Sequence, residues 1–193
     1  MSTTEPLAPV RHDQPVVMGR LLPSAALVTG AAFALEAVVS VLVDAHVGYH
    51  ALNTVLNAAL VVCCVVIARS GRATVGRIGV IGARATALMA LLAAGGGVWT
   101  VAVEGLTSTD TPGAVDGIAH TAVLASILFL VPLGLGVRRV DRVAGLILAS
   151  SSACLVVMVL VGLDQPEAFL APEALLGVGW LLLGRRLATG ATR

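Results

Sequence analysis

WTVAVEGLTSTDTPGAVDGIAHTAVL, residues 99–124, is the one long polar interruption in an apolar chain. It carries Glu104, Asp110, Asp116 and His120 and has neither Lys nor Arg. Apolar runs of membrane-spanning length flank it on both sides. What those runs are decides the fold. Where the acids and the histidine at the edges of the interruption sit bears on the function.

The chain has 193 residues, of which 58% are hydrophobic and 12% charged. A soluble domain carries about 25% charged residues. With a mean hydropathy of +0.98, no soluble core could use this much apolar surface, so the solvent must be lipid. The net charge of +1 gives no basic face for nucleic acid. All 12 basic residues are arginines, in an Ala/Val/Gly-rich setting common in GC-rich bacteria, which points to a bacterial plasma membrane. Cys63, Cys64 and Cys154 lie inside apolar runs without a CxxC spacing. They read as small buried hydrophobes, not redox groups.

Six segments reach the roughly 17–25 residues that a spanning helix needs. They are Leu21–Val43, Tyr49–Ala68, Gly79–Val103, Gly117–Val137, Val143–Leu163 and Phe169–Leu187. Their apolar residues run continuously and do not alternate, so they are helices. The first is longer than a signal-peptide core and contains Glu36, so it reads as a retained span. Every arginine falls on one side of this topology: before the first helix, in or beside the 2–3 and 4–5 loops, and at the end of the chain. The opposite loops, 44–49, 104–116 and 164–168, have none. The positive-inside rule makes those three loops extracytoplasmic. The expectation is therefore an all-α, six-transmembrane-helix bundle with N and C termini cytoplasmic. Residues 1–18 form a disordered tail, 19–187 a single membrane domain, and 188–193 a second tail. Pro23 and Pro172 read as first-turn prolines, and Pro132 as a bend in helix 4.

Ionisable groups inside spans usually face the bundle interior or a wet cavity. Glu36 lies about two turns below the outer end of helix 1. With Thr29, Ser40 and Asp44 it follows spacings of seven, four and four, which make one polar stripe. His46, His50, Asn53 and Asn57 descend helix 2 in the same way. Helix 3 brings Thr100 and Glu104 one turn apart, and helix 4 brings Asp116 and His120. Helix 6 offers Glu173 with Gly177 and Trp180. All lie in the outer half, which predicts a polar pocket open to the outer side. Paired His46/His50 and Asp116/His120 spacings raise zinc, and His50 facing His120 raises haem. No closed signature such as HExxH accompanies them, so neither metal nor cofactor is assigned.

The segment from Gly95 to Gly136 resembles the central portion of an uncharacterised family of bacterial six-helix membrane proteins. The matching positions are Gly97, Gly105, Asp110, Pro112, Gly117 and His120, with a weaker similarity at Tyr49–Leu60. The resemblance implies six spans and little about activity.

Three functional classes follow. The leading expectation is a membrane-embedded enzyme acting on a lipid or isoprenoid-like substrate. Glu36 or Glu104 would be the general acid, with His120 or Asp116 as base or orienting partner. His50, Asn53, Asn57, Trp99 and Trp180 would bind the substrate. Terpene-cyclase-like chemistry would fit an acid in a dry pocket. Against it, 3% aromatic content leaves few ring faces to hold a cation. The alternative is a small-solute or proton-coupled transporter or binding subunit. A third reading is an accessory membrane protein without catalysis. The partners expected are membrane lipids and a hydrophobic small molecule, with no nucleic acid and the oligomeric state open.

Overall fold

The computed structural model describes residues 15–42, 46–70, 72–107, 112–163 and 166–190. These residues are helical apart from short turns, and among them there is no strand. The order is α1 (Pro15–Leu42), α2 (His46–Ser70), α3 (Arg72–Thr107), α4 (Gly113–Val137), α5 (Arg142–Leu160) and α6 (Pro166–Gly190). All six are long and apolar enough to cross a membrane. Lipid offers no hydrogen bonds, so each span satisfies its backbone internally. The protein is a multi-pass membrane protein.

Each helix packs on its neighbours in the chain, and α1 packs on α6. The bundle is thus an up-and-down ring closed between its first and last helices. One end carries the 2–3 and 4–5 connections and the exposed Arg69, Arg77, Arg138, Arg139, Arg142, Arg185 and Arg186; we call it the arginine end. The 1–2, 3–4 and 5–6 connections lie at the other, acidic end. Residues 1–14, 43–45, 71, 108–111, 164–165 and 191–193 lie outside the described residues. With them lie Asp44, Asp110, Asp164, most of the first expected tail and half of the second.

The ring closes through small residues. A Cβ built on Gly177 would lie 2.8 Å from Gly30 O, and one on Gly30 would lie 2.8 Å from Gly177 O. Here α1 and α6 touch backbone to backbone, as close-packed membrane helices do when dispersion supplies the attraction. The middle of the Gly95-Gly96-Gly97 run plays the same part for α3. A Cβ built on Gly96 would lie 2.5 Å from the Ala119 Cβ of α4, one on Gly97 would run into the Thr54 side chain of α2, and one on Gly95 would face open space.

Turns follow local chemistry. Asp141 accepts a hydrogen bond from Ala144 N at 2.8 Å and caps α5, satisfying one of its orphan donors. At the far end of α5, Gly162 turns left-handed (φ 75°) and Leu163 N donates to Met158 O, a glycine-centred helix stop.

Three local expectations need correction. Pro23 lies well inside α1, because that helix begins at Pro15. Pro172 likewise lies inside α6. Polar flanks outside an apolar run continue a helix readily, so hydropathy sets helix ends too far in. Cys154 is exposed, unlike the buried Cys63 and Cys64. On a lipid-facing surface exposed apolar side chains are the rule, so burial does not follow from a cysteine's apolar surroundings.

Candidate functional site

The polar stripes of α1 and α2 face each other inside the ring. Thr29 is fully buried and donates from Oγ1 to Ala25 O in its own helix and to Ala59 O in α2. Two turns further along α1, Glu36 is buried, only 4% exposed. Asn53 Nδ2 donates to Glu36 Oε1 at 3.0 Å. Asn57 Nδ2 in turn donates to Asn53 Oδ1 at 2.6 Å and to Asn53 O at 2.8 Å. The result is a directed relay, Asn57 to Asn53 to Glu36, in which each bond polarises the next.

These three residues line a central cavity of about 50 Å³, together with Ser126 of α4, Leu155 of α5 and Glu173 of α6. Five of the six helices therefore converge on it. At 1.5 Å per residue, Glu36, Asn53 and Glu173 each lie about 10 Å from the acidic ends of their helices. The cavity holds two carboxyls, and among the described residues no basic one is in its lining. Its volume exceeds the roughly 10–15 Å³ that one water requires and falls well short of the roughly 300–1,000 Å³ of ordinary ligand sites.

A second cavity, also about 50 Å³, lies between α2, α3 and α4 and is lined by His50, Asn53, Gly97, Ala119, His120 and Val123, among others. Asn53 and Val123 line both cavities. The amide that bonds Glu36 therefore forms the partition between a central chamber and a vestibule. The rings of His50 and His120 stand edge to face, with centroids 6.4 Å apart. His120 Nδ1 lies 3.0 Å from Asp116 O and 3.1 Å from Asp116 Oδ1. A main-chain carbonyl can only accept, so Nδ1 carries the proton. In the neutral ring that leaves Nε2 as an acceptor. Asp116 and His120 are largely exposed.

The chain matches no family model, no curated protein and no solved structure. The similarity of residues 95–136 to a six-helix family thus gains no support from these comparisons, and the site stands on its own geometry.

Of the residues singled out from sequence, Glu36, Asn53 and Asn57 come together in the chamber, and His50 and His120 in the vestibule. Asp116 supports His120 from outside the lining. Glu104 is half-buried on α3 and belongs to the lining of neither cavity. Trp99 is 52% exposed on the outer face of the ring. Trp180 is fully buried, its indole Nε1 has no hydrogen-bond partner among the described residues, and it lines neither cavity. Two polar chamber residues, Glu173 and Ser126, do not stand out as site residues in the sequence. Glu173 was noticed only as a polar group on α6, and its position opposite Glu36 depends on the α1–α6 contact. Ser126 gave no signal, since a lone serine in a span satisfies itself, here by donating to Val123 O at 2.7 Å. Among the described residues no group of three or more His, Cys, Asp or Glu could hold a metal ion.

Proposed function

We propose that the protein is a proton-coupled membrane transporter or binding subunit, with Glu36 and Glu173 as its cation-binding pair and the His50/His120 vestibule as the approach. One observation carries this reading. Two carboxyls from the first and last helices line one water-sized chamber whose described lining has no basic residue. In a low-dielectric interior such a lining attracts positive charge strongly, and its size admits a proton, a hydronium or a small monovalent cation. Asn53 and Asn57 hold Glu36 in place, and Asn53 sits where the ion passes from vestibule to chamber. Intramembrane acids in this kind of setting mark ion paths and proton relays.

The arginine bias of the connections supports a cytoplasmic arginine end, which would leave chamber and vestibule in the outer half of the membrane. The other reading, acid catalysis on an isoprenoid-like substrate, needs a chamber several times larger with ring faces around it. Phe33 is the one aromatic residue in the chamber lining.

The test is proton flux into proteoliposomes carrying a trapped pH-sensitive dye, with membrane potential clamped by valinomycin. Wild type should acidify the lumen under an inward proton gradient. Glu36→Gln and Glu173→Gln should abolish the flux, while Glu104→Gln should retain it. Equal flux in wild type and Glu36→Gln would sink the proposal.

A further inference from the structure

The arginine end has a larger cavity, about 440 Å³, between the start of α3 and the end of α4. That volume falls within the roughly 300–1,000 Å³ of small-molecule sites. Arg77 and Arg139 both line it, and among the described residues no acid does. The nearest acid along the chain, Asp141, uses its Oδ1 to cap α5. At Gly76 the backbone leaves the helix (φ 72°, ψ 177°), so the long part of α3 begins at Arg77. The first amides of such a helix have no intrahelical acceptor. Left-handed backbone favours glycine, and the missing side chain has a second consequence. A Cβ on Gly76 would lie 2.6 Å from Arg139 Nη1 and 2.8 Å from Arg139 Cζ. The glycine therefore leaves room for the guanidinium to swing in beside Arg77. Ile78 and Leu135, 59% and 44% exposed, flank the two charges on the lipid-facing side.

We propose that this cavity binds an anionic phospholipid, its phosphate held between Arg77 and Arg139 and an acyl chain lying along Ile78 and Leu135. Guanidinium forks match phosphate oxygens in pairs, and basic pockets between spanning helices are suited to lipid headgroups. A free phosphate would satisfy the arginines equally well. The lipid is favoured because Arg77 stands near the start of an apolar span, Thr74–Thr107, where headgroups lie, and because the cavity continues onto apolar side chains.

The test uses the full chain purified in neutral detergent, with adducts counted by native mass spectrometry and Tm recorded in parallel. Phosphatidylglycerol should be retained as discrete adducts and should raise Tm, while phosphatidylcholine and inorganic phosphate at equal concentration should do neither. Arg77→Gln/Arg139→Gln should lower phosphatidylglycerol occupancy at least tenfold, and each single substitution at least threefold. Arg185→Gln/Arg186→Gln should leave it unchanged. If both single variants fold and retain phosphatidylglycerol like wild type, the site is refuted. Equal retention of phosphatidylcholine, or an equal Tm rise with phosphate alone, would overturn the assignment to an anionic lipid.

Discussion

Replacing Asn53 by alanine cuts the relay at its middle, and the structure allows the cost to be worked out. Glu36 loses the donor at 3.0 Å on its Oε1. A buried acceptor left without a partner costs about 1–3 kcal/mol. Asn57 loses the 2.6 Å bond to the Asn53 side chain but keeps the 2.8 Å bond to the Asn53 main chain. That second bond lies within α2 and its donor keeps the main-chain acceptor, so this second loss is small. The chamber beside Asn53 already has room for water, and a water entering the vacated space recovers part of the first loss. Asn53→Ala should therefore destabilise the protein by about 2 kcal/mol. Reversible unfolding in mixed micelles or by steric trapping measures it. A double-mutant cycle with Glu36→Leu isolates the bond: the Asn53 substitution should cost about 1 kcal/mol less once Glu36 is gone. If the two substitutions add to within about 0.3 kcal/mol, Asn53 and Glu36 are not coupled and the relay is wrong.

Other outcomes follow from packing and topology. Gly177→Leu puts a branched side chain where Gly30 O and the Ala34 backbone now sit. It should cost at least about 3 kcal/mol or prevent folding, whereas Gly95→Ala, with nothing within 4 Å, should be neutral or stabilising by up to about 1 kcal/mol; the same unfolding assay compares them. Gly76→Ala meets both a left-handed backbone and the Arg139 guanidinium and should lose about 1–3 kcal/mol; full stability in that variant would contradict the break at the start of α3. In a Cys154→Ser background, Thr109→Cys should react with an impermeant thiol reagent added outside intact cells, and a label only after permeabilisation would reverse the proposed orientation.

The six spans were legible from the sequence because span length is a local property. Twenty apolar residues in a row need no partner to be recognised. The ends were less legible. Nothing in the apolarity of residues 21–43 tells that α1 starts at Pro15, since flanking polar residues keep hydrogen-bonding as helix. The inward faces of α1 and α2 were legible for a different reason. Thr29, Glu36, Asn53 and Asn57 are costly in lipid, so their spacing marks the buried side. Elsewhere that marker is missing. In water an apolar stripe reveals which way a helix is turned. In a bilayer the lipid face is as apolar as the core, so α3 and α6 carry almost no rotational signal. That is why Trp99 and Trp180 looked equivalent as binding residues, although one faces outward and the other is sealed in the core. It is also why Glu104, and not Glu173, reads as a site acid from the sequence alone.

The sequence by itself determined that this is a six-span membrane protein, that its arginines cluster at one end, and that Glu36 has to face the bundle interior. Only the tertiary structure decided which acid faces Glu36. That pairing depends on α1 and α6 closing the ring through Gly30 and Gly177, residues 147 positions apart in the chain (177 − 30). No local pattern encodes it, because two glycines meeting across a lipid-solvated interface leave no trace in either helix alone.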